Sequence, residues 1–378
     1  MKKILKGTLF TILSIIGVVF LVVVGYLSYV LIQYHRIEDD VYLNIEERSE
    51  LDLQGNQFKI STYNIGFGAY RQDFSFFMDE GYMQDGTKVV GKSSRAVSKE
   101  SVIEATEGAI NEIKSLDADF VLYQEVDTNS DRSHHVNQYD MVKSEFNEFD
   151  SVFASNYHSA YLFYPFTKPI GKSNSGLVTL SKYKIEEAKR RSYPLSNGFD
   201  KFFDLDRCFM VNRLKVNETQ ELVIVNSHMS AYDKGGKIRA KQMETLKVFF
   251  QEEVDKNNYV VIGGDFNHDL LKNNPNFAYE NESDRPGWMN FTQLKPDWLA
   301  SVDYENDILP SMKVGTSDNA PTCRDADIPY LGYENDVYKS VIDGFIVSQN
   351  IEIISVTNID NAFLYSDHQP VEMVFRLI

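Results

Sequence analysis

Apolar and polar positions divide the chain unevenly. Lys2, Lys3 and Lys6 precede an uncharged apolar run over residues 9–32, and from residue 37 onward short apolar blocks alternate with polar ones. As a helix the run measures about 36 Å, enough to cross a hydrocarbon core about 30 Å thick. Gln33, Tyr34, His35 and Arg36 follow it, not the small residues of a cleavage site. The segment therefore predicts an uncleaved single-pass membrane anchor; the alternative, a cleaved signal, still sends the remainder outside. Basic residues at its start, with Glu38, Asp39, Asp40, Glu46 and Glu47 beyond its end, predict a cytoplasmic N-terminus and an extracytoplasmic domain. The expected divisions are a basic tip and anchor at 1–36, an acidic polar stalk at 37–57, and one large domain at 58–378.

Within that domain, short and partly β-branched runs predict strands at 58–65, 120–126, 176–181, 209–216, 222–227, 259–263, 341–347 and 371–377. Val102, Ile103, Thr106, Ile110 and Ile113 recur at helical spacing and predict a helix over 94–116. Met243, Leu246, Phe249 and Phe250 predict another over 237–255. Strands interleaved with a few helices imply a layered α/β or α+β domain. Asn64, Glu125, His228, Asp265, Asn267 and the pair Asp367–His368 all fall at or near predicted strand ends, where a rigid sheet presents reactive groups.

Composition changes the picture in two ways. Among 378 residues only Cys208 and Cys323 are cysteines, too few for a disulfide framework; they either pair or stay as free thiols. The net charge of −17 repels a polyanion at long range, which weighs against nucleic acid as a partner without excluding it.

The candidate chemistry lies at the strand ends. Tyr259-Val-Val-Ile-Gly-Gly-Asp-Phe-Asn267 closes an apolar strand with two glycines and then a carboxylate and an amide two residues apart. If the extended chain continues, both side chains point the same way, and Asp supplies the oxygen that a hard cation takes. The same residues also suit a plain Asx turn. Phe120-Val-Leu-Tyr-Gln-Glu-Val126 places a carboxylate in an apolar run, costly unless paired or metal-bound. Leu222-Val-Ile-Val-Asn-Ser-His-Met229 and Leu364-Tyr-Ser-Asp-His-Gln-Pro370 each deliver an imidazole, the group best suited to proton transfer near neutrality. The remaining histidines, among them His134, His135, His158 and His268, are read as structural.

Asn64 in Thr62-Tyr-Asn-Ile, Glu125 in Gln124-Glu-Val, His228 in Asn226-Ser-His, Gly264-Asp-Phe-Asn267, Ile342-Asp-Gly-Phe and Ser366-Asp-His stand in one order. In that order the chain, from about residue 58 to its end, resembles the endonuclease/exonuclease/phosphatase superfamily. Each motif is weak alone; six in sequence are specific. The resemblance implies a four-layer α/β/β/α sandwich with its site at one rim, and a metal-dependent phosphoester hydrolase. It implies Glu125 as the main Mg²⁺ ligand with Asn64 beside it, Mn²⁺ or Ca²⁺ being possible substitutes. It implies Asp265 and Asn267 holding the attacking water or the phosphate. His368 would be the general base, backed by Asp343 or by Asp367. His228 would protonate the leaving oxygen or steady the phosphate. A histidine at 228 is similar to the deoxyribonuclease and sphingomyelinase branches and unlike abasic-site endonucleases.

For substrate binding, Lys168, Lys172 and Asn174 in the segment before residue 176, together with Arg207 and Arg324, are candidate phosphate clamps. Phe199-Asp-Lys-Phe-Phe203 beside Lys189-Arg190-Arg191 is a candidate contact with lipid headgroups. The leading expectation is a membrane-tethered hydrolase of a small or lipid-linked phosphoester, sphingomyelinase-like cleavage being one form. The alternatives are an extracellular nuclease and a catalytically dead binding module.

Overall fold

The computed structural model describes residues 2–196, 206–231, 236–277, 279, 281–332 and 337–378. Its four helices of eight or more residues are α1 (Lys2–Gln33), α2 (Lys99–Leu116), α3 (Gln138–Glu145) and α4 (Lys237–Asp255). Two seven-stranded sheets use fourteen strands. In chain order these are β1 (Val41–Tyr42), β2 (Ile45–Glu46), β3 (Gln57–Asn64), β4 (Phe120–Asp127), β5 (Asp150–His158), β6 (Asn174–Ser181) and β7 (Glu187–Ser192). Then follow β8 (Cys208–Lys215), β9 (Glu221–His228), β10 (Tyr259–Asp265), β11 (Met312–Gly315), β12 (Asp343–Ser348), β13 (Ile351–Asn358) and β14 (Val371–Leu377).

One sheet runs β13-β14-β3-β4-β6-β5-β2 and the other β1-β7-β8-β9-β10-β12-β11. Each contains a single parallel pair, β3 with β4 and β9 with β10; every other pairing is antiparallel. A parallel pair needs a long crossover, and helices α2 and α4 supply the two crossovers. Between the sheets lie Phe58, Ile60 and Leu122 against Leu222, Ile224 and Val261. Outside one sheet, Ala109, Ile110 and Ile113 of α2 cover Tyr63, Val121 and Leu180. Outside the other, Met243, Leu246 and Phe250 of α4 cover Val223, Val225 and Ile262. This is the expected four-layer α/β/β/α sandwich. Each fully buried apolar side chain contributes about 1.5–3 kcal/mol, so packing more than helix propensity fixes the outer layers.

The predicted strands and helices recur with small shifts at their ends. Helix α2 starts later than the spacing implied because Ser98 caps it, exchanging hydrogen bonds with Ser101. Residues before the cap are held otherwise: Ser94 Oγ donates to Lys168 O and Ala96 N to Arg132 O. The stretch 37–57, expected as a stalk, lies along the sandwich. There β1 pairs with β7, β2 pairs with β5, and Asp150 accepts the Arg48 and Ser49 amides. Two-residue strands carry too little pattern to be read from sequence.

Helix α1, over Ile4–Gln33, is long and apolar enough to cross a membrane. Its C-terminal part touches the domain: Val30 is buried, and Tyr26 Oη donates to Tyr161 O. Cys208 and Cys323 are both buried free thiols, which settles the pairing question.

Candidate active site

Strand direction brings the polar groups together. The parallel strands of both sheets end at one rim, and antiparallel β12 and β14 begin there. His228, Asp265 and Asp343 stand in one row across β9, β10 and β12. On the other sheet Asn64 ends β3, Glu125 lies near the end of β4, and His368 precedes β14, whose first residue Val371 pairs with Thr62. The sheets are joined at this rim by Asn64 Nδ2 donating to Asp265 Oδ2 at 3.0 Å.

Two local devices shape the row. At Gly264 φ is +142°, and a Cβ there would come within 1.9 Å of Ser227 O, so only glycine lets β10 approach β9. Glu125 has φ 55° inside a register shift between Tyr123 and Val126. This bulge turns its carboxylate into the cavity, and left-handed backbone at a non-glycine residue is the kind of strain found at functional sites.

The cavity has a volume of about 530 Å³, and Glu125, His228, Asp265, Asn267, Asp367 and His368 line it. Asp265 Oδ2 is its hub, 3.4 Å from His228 Nε2 and 3.7 Å from His368 Nε2. His228 Nε2 is also 3.9 Å from Glu125 Oε1. His368 Nδ1 bonds Asp343 Oδ2 at 2.8 Å, so the imidazole's carboxylate partner is Asp343. Its sequence neighbour Asp367 instead takes the Ser366 hydroxyl. Arg207 Nη1 donates to His228 Nδ1 at 2.8 Å, which leaves the proton of a neutral His228 on Nε2, facing Asp265. Asn267 departs from expectation: the extended chain stops at Asp265, Asn267 has φ 51°, its backbone amide donates to Asp265 Oδ1 and its side-chain amide to Met229 O.

These surroundings set the charges. Burial, then the Arg207 cation, holds the His228 pKa well below its ordinary value and keeps it neutral. Burial also disfavours a charged His368, but the carboxylates of Asp343 and Asp265 outweigh it and hold that pKa well above ordinary. Burial pushes Asp265 up to about 6 against the opposing pull of His368, and burial likewise brings Asp367 to about 6.

The sequence pattern of the Endonuclease/Exonuclease/phosphatase family matches residues 62–368. The chain belongs to this family. It is therefore a metal-dependent hydrolase of phosphoric esters. No curated protein sequence matches the chain. Among solved structures, an endonuclease/exonuclease/phosphatase family protein from Leptotrichia buccalis is 15% identical, with a TM-score of 0.51 over 84% of this chain and 98% of that one. ANGEL2, a 2′,3′-cyclic phosphatase in complex with adenosine-2′,3′-vanadate, is 14% identical, with a TM-score of 0.51 over 89% of this chain and 99% of that one. TDP2 of D. rerio, complexed with a single-strand DNA product, is 10% identical, with a TM-score of 0.49 over 85% of this chain and all of that one. At such identities the likeness is one of fold.

The family's divalent cation finds suitable donors here. Among the described residues the Glu125 carboxylate accepts no hydrogen bond, and its side chain is 23% exposed to the cavity. Asp343 Oδ1 is buried without a partner. Asp265 and Asp343 add carboxylate oxygens within 4.8 Å of each other. This surplus of carboxylate oxygen fits a hard cation.

Not every predicted site residue reaches the cavity. Lys172 and Asn174 do not line it; Lys172 is exposed, and the Asn174 side chain donates to Asn129 O. Arg207 and Arg324 do line it, but neither is a surface cation. Arg207 orients His228, and Arg324 is spent on the carbonyls of Tyr70, Arg71 and Asp325. The basic trio 189–191 forms part of β7: Arg190 is buried on the carbonyls of Ser155 and Asp206, while Lys189 and Arg191 pair with Asp40 and Asp39. The aromatic segment 199–203 lies outside the described residues. Two residues were missed altogether. Arg132 lines the cavity, grips Asp127 through two bonds and lies 3.8 Å over the Phe67 ring. Arg239 holds the Asn267 and Ala231 carbonyls. A buried arginine has no sequence pattern that separates it from a surface one.

Proposed function

We propose that the protein is a membrane-tethered, Mg²⁺-dependent phosphoesterase whose domain faces the outside of the cell and whose substrate is a small or lipid-linked phosphate ester. The observation that carries this reading is the convergence of Asn64, His228 and His368 on the single oxygen Asp265 Oδ2, beside the uncommitted carboxylate of Glu125. Glu125 would hold the cation, with Asn64, whose Oδ1 already accepts the Gly66 amide, beside it. When bound, Mg²⁺ supplies charge neutralisation at the non-bridging phosphate oxygens.

The chain's own residues supply the rest. Asp265, whose Oδ2 faces both imidazoles, takes the proton of the attacking water. His368, held cationic by Asp343, stabilises charge developing on the phosphate. Asn267, its carbonyl held by Arg239 and its side-chain amide bonded to Met229 O, forms part of the cavity wall. Neutral His228 donates from Nε2 and steadies the phosphate or the leaving oxygen. The proton on His368 thus favours an electrostatic role there and moves the base to Asp265.

The tether is supported by helix α1 and by the lysines at its start. The cavity size and the net charge of −17 support a small ester or headgroup over a polynucleotide. The test is a panel of phospholipids, sugar phosphates, nucleotides, polynucleotides and bis(4-nitrophenyl) phosphate, with Mg²⁺ or with EDTA. Mg²⁺-dependent cleavage of a small or lipid ester is expected. Cleavage confined to DNA or RNA would promote the nuclease reading, and no cleavage of anything would overturn the enzyme assignment.

A further inference from the structure

We infer that the loop spanning 161–168 docks on the membrane, seated among the headgroups of the outer leaflet and placing the mouth of the catalytic cavity at their level. The inference rests on the anchored reading of helix α1 above. Phe163, Tyr164 and Phe166 are 51%, 61% and 84% exposed. Three adjoining aromatic side chains turned outward mark an interaction surface more than a water-facing loop.

The occupant is fixed by what the loop is tied to. Tyr26 Oη of the apolar helix donates to Tyr161 O at 3.3 Å, and Tyr161 N donates to Tyr29 Oη at 3.1 Å. The rings of Tyr26 and Phe163 meet edge to face at 5.3 Å. From Lys6 to Tyr26 the helix rises about 30 Å, the thickness of a hydrocarbon core. With Lys6 at the cytoplasmic boundary, Tyr26 falls at the outer one, where tyrosines collect. Its bonds then hold the loop at the same height. Lys168, exposed at the end of the loop, adds attraction to anionic headgroups.

The loop also leads to the site. Tyr164 packs on Phe77 at 5.6 Å and Phe77 on Phe76 at 4.9 Å, and Phe76 lines the cavity together with Ile170. An aromatic path therefore joins the membrane-facing loop to the catalytic pocket.

The test uses the full chain in vesicles of equal parts phosphatidylcholine and phosphatidylglycerol. Because both native thiols are buried, Phe166→Cys takes an environment-sensitive fluorophore selectively, and Phe163→Cys is a second probe of the same loop. Glu218→Cys is the control, since its side chain is 89% exposed in the turn after β8, at the rim opposite the site. Labels at 166 and 163 are expected to shift to the blue and to be quenched by lipids carrying a nitroxide near the headgroup, with no quenching at 218. Labels at 166 and 163 that stay as aqueous as the one at 218 would overturn the docking. Cleavage of water-soluble bis(4-nitrophenyl) phosphate by the same samples reads the hydrolase assignment separately. Activity without quenching rejects only the docking, and quenching without activity rejects only the hydrolase reading.

Discussion

The partnership of His368 with Asp343 makes a quantitative prediction for Asp343→Asn. The substitution keeps the side chain's shape and removes its charge. Asp343 Oδ2 stands 2.8 Å from His368 Nδ1, and a hydrogen bond to a charged group contributes about 1.5–3 kcal/mol. One pKa unit corresponds to about 1.4 kcal/mol, so the His368 pKa should fall by about one to two units. The backbone of Asp343 is held independently, its amide donating to Thr322 Oγ1, so the row of β12 should survive. If the cationic imidazole stabilises the transition state, turnover at neutral pH falls roughly 10- to 150-fold by the same energies. Titration of the His368 ring protons by NMR, with kcat measured on the same samples, reads both quantities. Asp367→Asn is the comparison, because that carboxylate bonds Ser366 and not the imidazole. An unchanged His368 pKa in Asp343→Asn, or a larger fall in Asp367→Asn, would refute the reasoning.

Glu125→Gln, Asp265→Asn and His368→Ala should each lower turnover by at least about 100-fold, with Glu125→Gln also weakening Mg²⁺ binding by calorimetry; near-normal rates in all three would remove the site assignment. Gly264→Ala should destabilise the domain by several kcal/mol or prevent its folding, read by thermal melting, since its Cβ would strike Ser227 O. Burial opposes the charge of Glu253, yet its bonds to Arg213, Lys256 and Asn258 bring its pKa from an ordinary 4.5 to about 2. The stabilisation, about 3 kcal/mol, is therefore full above pH 4.5 and lost as pH falls toward 2; in Glu253→Gln, denaturant melts should lose that acid-side slope.

Much of the fold could be read along the chain. The eight predicted strands are all present, because apolar β-branched runs such as 222–227 and 371–377 record a burial that their own side chains demand. Among the elements that escaped, β5, β7 and α3 share a cause. In β5 the buried residue Asp150 is polar and accepts three backbone amides from two segments. In β7 the buried residues are Ala188 and the charged Arg190. Short α3 lacks the apolar repeat of α2 and α4. Each is stabilised by partners distant in sequence, which leave no periodic trace.

By itself the sequence determined a long apolar helix, a sandwich of alternating strands and helices, and a set of polar residues waiting at strand ends in the order of one enzyme family. Only the tertiary structure decided which of them meet. Asn64 reaches Asp265 across the gap between sheets, Asp343 displaces the adjacent Asp367 as the partner of His368, and Arg207 becomes the support of His228. The physical reason is that a strand's pattern reports which side chains are buried, whereas sheet register and the stacking of the two sheets fix which atoms come within hydrogen-bonding distance.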